Sequence, residues 1–446
     1  MSFERMKSIV LLILVFMSAY LTWQIWTYQP TLKRTDQSEY FKVASDTKGI
    51  ADVVKPKNAL FHVGERHFQI NDEEKMNNIQ SAFLNWSLYS FEDISHQVGE
   101  TEFLEFIHSK ANTEINFADQ IPFKLYKSVF NVEMNEVPEF SFDKIIFTSA
   151  DSNMEEAKIY FISTENKTVI QTIVNGESIR TFYEIYYKNA NKYPECIKYQ
   201  VSKRKEIYVL KDPAPMKQSS YQLGNMNMNM NNFKYALFSD PTSVRQEYVS
   251  NVEEFTDGTR LLSVDRNSWM INFINPSQKR KVFSSTSDLL QQSIDFVNDH
   301  AGWEKVDHTG WDKSSFRFSE LWQEEQRVVF RLFVEGLPVF NEVGMAEIEQ
   351  VWGNEEIYQY QRPYFYLDFP YPSEEPAESL PSGEEAVTAL KNIRNFNPEV
   401  LEDLEIGYQM TKSILNSKSV ILKPAWYYRY GGTWIILPFE QKGADR

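Results

Sequence analysis

The chain has 446 residues with 46 Lys plus Arg against 62 Asp plus Glu, a formal net charge of −16, which argues against nucleic acid or an anionic membrane surface as a partner. The one cysteine, Cys196, rules out an internal disulfide, so the fold must be held by its core, and the length is sufficient for more than one domain. Aromatic residues reach 15%, with Phe and Tyr dominant, which favours β-rich packing.

Ile9 to Trp26 is an apolar run broken only by Ser18, Thr22 and Gln24. As a helix it spans roughly 27 Å, enough for the hydrocarbon core of a bilayer. Arg5 and Lys7 precede it, and Trp23, Trp26 and Tyr28 cluster at its far end, where amphipathic rings settle at the headgroup level. Pro30 closes the helix. No small-x-small cleavage site follows, so the expectation is an uncleaved signal anchor over 9–28. It makes a single pass of the cell membrane, with a cytoplasmic tail at 1–8 and the bulk of the chain extracellular. Ser18 and Thr22 stand four apart on one helix face, continued by Ile25 and Trp26. Small hydroxyl residues at that spacing let a second membrane helix approach and hydrogen-bond. The alternative is that both hydroxyls return to the helix's own carbonyls, with Gln24 snorkelling outward. So short a tail holds no signalling domain, and influence on the cell interior has to pass through another membrane protein.

Residues 29–57 are polar and aperiodic and read as a stalk. A mixed α+β domain is expected over 58–143. It opens with a strand pair, Ala59–Val63 and His67–Ile70, turning at Gly64-Glu65. Asn71-Asp72-Glu73-Glu74 then caps a helix with Met76, Ile79, Phe83, Leu84 and Trp86 inward. A second helix is expected over Thr101–Lys110. From 144 to 280 the pattern is β-rich, with strands at 145–147, 158–162, 169–174, 197–203 and 207–210 and a helix at Ser178–Lys188. A meander follows over 245–254, 259–264 and 268–274, turning at Asp257-Gly258 and Asp265-Arg266-Asn267.

Residues 281–446 form the last expected domain. A helix at Ser285–Asn298 leads to strands at 314–318, 327–334 and 346–352 and an aromatic strand from Tyr358 to Phe369. Ser382-Gly383-Glu384-Glu385 is a capping box for a second helix, followed by strands at 404–410 and 421–437 with Gly431-Gly432 as a hairpin turn. Helix then antiparallel meander therefore occurs twice, and each unit resembles a small PepSY-like module. The fold class is α+β: a transmembrane helix and a three-domain exported region.

Chemistry is sparse. Of the six histidines, His62 and His67 lie five apart across a turn that could bring them together, but no acidic or Cys ligand is fixed nearby, so no metal site is assigned. Methionine alternates with asparagine over 225–232, which suggests Cu(I), yet no His or Cys completes a donor set and a polar loop is the simpler reading. Cys196 has no histidine beside it and reads as a lone semi-buried thiol. No nucleophile elbow, Ser-x-x-Lys, Walker loop or dinucleotide fingerprint is present, and no catalytic or cofactor-binding residue is assigned.

Four stretches carry a resemblance: Glu4-Arg5-Met6-Lys7-Ser8-Ile9-Val10, Leu21 to Pro30, Phe330-Arg331-Leu332-Phe333-Val334-Glu335-Gly336-Leu337-Pro338-Val339-Phe340, and Lys423-Pro424-Ala425-Trp426-Tyr427. Together they resemble the YycH family across the length of the chain. That resemblance implies a non-enzymatic regulator of the YycG/WalK sensor histidine kinase of low-GC Gram-positive bacteria, acting with YycI through transmembrane helix contacts. YycI is similar in fold to the last two domains expected here. The sign of regulation differs within the family and does not carry over. Other classes remain in view: an exported PepSY-like binding or protease-inhibitory module, or a cell-envelope hydrolase with a deep acidic cleft.

Overall fold

Alternating apolar residues and tight turns dominate the chain after residue 57, and they build two large, mostly antiparallel sheets. The computed structural model describes residues 3–27, 47–99, 102–133, 137–148, 155–203, 205–225, 230–278, 286–300, 302–303, 314–371, 377, 379–414, 416 and 418–439. Two compact units separate at Tyr40/Phe41, and each is described on its own. The first is a helix, Phe3–Thr27.

In the second unit the first sheet has ten strands: β1 (Asn58–Val63), β2 (Arg66–Ile70), β3 (Ser87–Asp93), β4 (Asn112–Pro122), β5 (Asn131–Val132), β6 (Ser141–Thr148), β7 (Glu156–Ser163), β8 (Thr168–Asn175), β9 (Glu195–Ser202) and β10 (Lys205–Leu210). Their order is β10-β9-β2-β1-β4-β6-β7-β8-β3-β5. Gly64, at φ +63°, allows the tight turn between β1 and β2. One face carries Phe61, Phe68, Ile115, Ile145 and Phe147, packed under Trp86 and under Ile79 and Phe182 from the covering helices. Those helices are Glu73–Ala82, capped by the Asp72 carboxylate on Lys75 N at 3.0 Å, and Gly176–Ile185, capped by the Asn175 side chain on Glu177 N at 2.8 Å.

The second sheet has 14 strands. Its main path runs 245–249, 252–256, 261–265, 270–274, 357–363, 347–352, 327–334, 337–340, 401–412, 419–430, 219–225 and 365–371. Ser314–Trp322 pairs with the 327–334 strand, and Thr433–Ile436 closes on 419–430 through Gly431 and Gly432, both at positive φ. Helix Thr286–Asp299 buries Leu289, Leu290, Ile294 and Val297 in the main core, while helix Gly383–Lys391 buries Ala386, Val387 and Leu390 in a second cluster with Trp426.

Several contacts tie the sheets together. Lys57 Nζ lies 2.6 Å from both Asp403 and Glu405. Asp119 on β4 accepts from Leu321 N at 2.9 Å, and burial pushes its carboxyl up to about 6 against that bond and the one from Gln120 N. Arg317 pairs with Glu73, and Gly383 N donates to Lys211 O at 2.9 Å, placing the second helix against the end of β10.

The structure differs from the sequence reading at several points. The first sheet runs through the boundary expected at 143/144, because β6 pairs with β4. The second sheet likewise mixes strands from both sides of 280/281, since Met270–Ile274 pairs with Ile357–Pro363. Leu84 is exposed, because Phe83–Asn85 tightens into a 3-10 turn and rotates it off the helical stripe. The helix expected over 101–110 is confined to Phe103–Ile107, and Thr101 lies outside the described residues. The strand expected at 245–254 is a hairpin whose turn holds Ser250 at φ +59°, and the aromatic strand 358–369 breaks at Tyr364 into two. Leu337–Phe340, to which the sequence reading assigned no element, is a strand that pairs in parallel with 401–412. Of the Asn/Met stretch 225–232, residues 226–229 lie outside the described residues, and 230–232, read as loop, open the helix Met230–Leu237.

Candidate functional site

Two places hold the residues with functional potential. The first is the N-terminal helix, 25 residues from Phe3 to Thr27. Every residue from Leu11 to Trp23 is exposed, with Leu11, Phe16 and Trp23 each above 60%. Among the described residues no helix is long and apolar enough to cross a membrane. The run of described side chains in this helix, 11–23, covers only about 20 Å at 1.5 Å per residue. Thr22 Oγ1 donates to Ser18 O at 2.8 Å, so that hydroxyl does return to its own helix. Lys7 is exposed; the side chains of Arg5, Ile25 and Trp26, and all of Tyr28, lie outside the described residues.

The second place is a polar cluster on the face of the first sheet opposite Phe61 and Phe68. Directly opposed positions on antiparallel strands share a face, and His62 on β1 pairs with His67 on β2, which pairs with Cys196 on β9. Glu114 on β4 opposes Leu60, two residues before His62, so it comes to the same face one diagonal step away. The helix Phe103–Ile107 covers this face through Phe103 and Ile107, packed on Ile146. The chain then returns into β4 through Ala111 at φ +75°, with the Asn112 amide donating to the carbonyls of Phe106 and Ile107. That reversal sets His108 over Glu114.

The distances are short. His62 Nε2 lies 2.5 Å and His108 Nδ1 2.6 Å from the same oxygen, Glu114 Oε1, and His62 Nδ1 lies 2.7 Å from His67 Nδ1. His62 and Glu114 are fully buried. The Tyr208 ring packs edge-on against His62 and His67 and tilted against His108, with centroids 4.7–5.2 Å away. Burial acts to raise the Glu114 carboxyl, but the two imidazoles outweigh it and hold the group well below the usual carboxylate range. Burial, aided by His62 and Lys198, pulls His67 down to about 4 and keeps it neutral. Cys196 is buried, deeper than the semi-buried thiol expected, and burial pushes its thiol up to about 12.

Sequence reasoning found the His62–His67 approach, since the two flank a turn. It missed Glu114 and His108, which reach the pair only through non-local pairing of β1 with β4. Together His62, His108 and Glu114 place ligand atoms within 4.8 Å of one another and, among the described residues, are the group able to hold a metal.

Comparison with known proteins gives a consistent result. The family model described as "YycH protein, N-terminal domain" matches residues 4–190, and "YycH protein, C-terminal domain" matches 204–444. The chain is similar to the two-component system WalR/WalK regulatory protein YycH of Bacillus subtilis (strain 168), at 24% identity over 96% of this chain and 95% of that protein. The crystal structure of YycH from Bacillus subtilis shares its fold, with a TM-score of 0.72 and 21% identity, covering 89% of this chain and 99% of that one.

Proposed function

The chain belongs to the YycH family, and we propose that it is a membrane-anchored accessory regulator of a WalK-type (YycG) sensor histidine kinase, acting together with YycI. It is a regulatory protein and not an enzyme. The observation that carries the anchored reading is the N-terminal helix, where apolar side chains from Leu11 to Trp23 face outward on all sides with nothing polar between them but Ser18 and Thr22. A soluble surface does not sustain such a stretch, and lipid and a second helix are its natural cover. Arg5 and Lys7 on its N-terminal side favour a cytoplasmic N-terminus and an extracellular body.

Regulation then follows from packing. A kinase with two arrangements of its membrane helices is shifted toward whichever arrangement this helix fits better. The Thr22 hydroxyl already serves Ser18 O, so the face of Ser18, Thr22, Ile25 and Trp26 acts chiefly through close approach at its small residues. Even an interhelical hydrogen bond in lipid is worth only about 0.6–2 kcal/mol, so packing at this face changes output several-fold and does not make an absolute switch.

The test compares kinase-dependent reporter output in cells carrying residues 1–34 alone, the body on an unrelated anchor, and the full chain with Ser18→Leu and Thr22→Leu. The membrane-contact reading expects the short helix to act and the double variant to lose the effect. Activity confined to the body on its foreign anchor would reduce the helix to a tether and move a binding role of the exported domain to first place.

A further inference from the structure

The polar cluster of the first sheet lies outside the regulatory reading, and its composition calls for its own account. We propose that His62, His108 and Glu114 form a binding site for one divalent transition-metal ion of zinc type.

Three elements supply the donors: His62 from β1, Glu114 from β4, and His108 from the end of the helix Phe103–Ile107. Two imidazoles and one carboxylate suit Zn(II), and three protein donors leave a fourth position for water. The donor atoms already converge, with both imidazoles on Glu114 Oε1. Ligand atoms around tetrahedral zinc stand roughly 3.3 Å apart, given bonds of about 2.0–2.1 Å, so the imidazoles have to withdraw from Oε1 by about 0.7–0.8 Å. The hydrogens now held between the rings and Oε1 leave to solvent, and two N–metal bonds and one O–metal bond take their place.

The surroundings have the form of a supporting shell. A ligating histidine ordinarily fixes its second nitrogen on a neighbour, and His62 Nδ1 does so against His67 Nδ1 at 2.7 Å. Tyr208 walls the site on one side, and the Asn112 amide locks the turn that delivers His108. Glu114 Oε2 is buried and accepts no hydrogen bond; its nearest cation is the Lys144 ammonium at 3.6 Å, itself committed to Asn116 Oδ1 at 2.5 Å. A buried carboxylate oxygen without a donor is costly unless a further positive charge reaches the group, and a bound ion supplies it.

The test uses the full chain, purified in detergent without a histidine tag, stripped with a chelator and titrated with zinc against a chromophoric competitor. One ion per chain is expected, with affinity falling at least tenfold in His108→Ala and in Glu114→Gln and unchanged in His96→Ala, an exposed histidine. Because the variants alter a buried site and could unfold, cobalt(II) is added in parallel to the wild-type chain. It should give the visible bands of a four- or five-coordinate ion with imidazole ligands, bleached by zinc. Failure of the wild type to take up stoichiometric metal, an octahedral cobalt spectrum, or unchanged affinity in a folded His108→Ala chain would each overturn the proposal.

Discussion

Replacing Asp119 by Asn tests how the two sheets are joined. The carboxylate accepts Gln120 N at 2.7 Å and Leu321 N at 2.9 Å, so one side chain of β4 holds the backbone of the 314–322 strand. Its folded-state value of about 6 stands above the ordinary 3.8. The sign follows directly: the folded state binds the proton more tightly, so the contribution is fully present below pH 3.8 and is lost as pH rises through about 6. The whole shift corresponds to about 3 kcal/mol as a ceiling, and the part realised between pH 7 and pH 5 to about 1.4 kcal/mol before discounting for partial solvent access. Asn cannot titrate and offers one acceptor where the carboxylate offers two. At pH 7 the lost acceptor and the relieved charge roughly cancel, each at about 1–3 kcal/mol. Urea unfolding of both chains at pH 5 and pH 7 isolates the residue, because all other titrating groups are common to the two. The wild type should gain about 1 kcal/mol on the variant at pH 5 relative to pH 7. An identical difference at both pH values would refute the reasoning.

Lys57→Met leaves the half-buried Asp403 and Glu405 side by side without their shared cation, so stability should fall by about 1–3 kcal/mol, read as a drop in thermal midpoint. Gly383→Ala drives a Cβ to 2.3 Å from Leu210 O, a backbone atom that cannot step aside, and should cost about 1–3 kcal/mol in urea unfolding. Cys196 is 4% exposed with its thiol pushed up to about 12, so a thiol reagent should modify the native chain slowly and the urea-unfolded chain at once. Rapid native labelling would contradict its placement.

What the sequence made legible was local. The Ser382/Glu385 capping box is formed as read, with Ser382 N donating to Glu385 at 2.9 Å, and Gly431-Gly432 makes the expected hairpin. Both signals lie within a few residues and need no tertiary information. The strand 337–340 was illegible because it is short and carries Pro338; its hairpin with 327–334 is local, but its parallel partner, 401–412, lies far along the chain. The polar cluster divides the same way. The turn at Gly64 made the His62–His67 meeting readable, while Glu114 looks like any strand-borne acid until β1 and β4 are placed side by side. Leu84 shows a different failure, a periodicity that holds until the helix tightens.

The strand Ser219–Asn225 sits between 365–371 and 419–430 in the second sheet. Its neighbours on both sides are synthesised well over a hundred residues later, and at 5–20 residues per second that is a wait of roughly 10–40 s. The first sheet, complete by Leu210, can close while the ribosome is still working; the second has to remain open until the last strands arrive. A chain truncated between residues 225 and 419 therefore leaves the 219–225 strand with an unpaired β edge beside a completed first sheet, an exposed template for aggregation and a mark by which quality-control proteases can recognise unfinished copies.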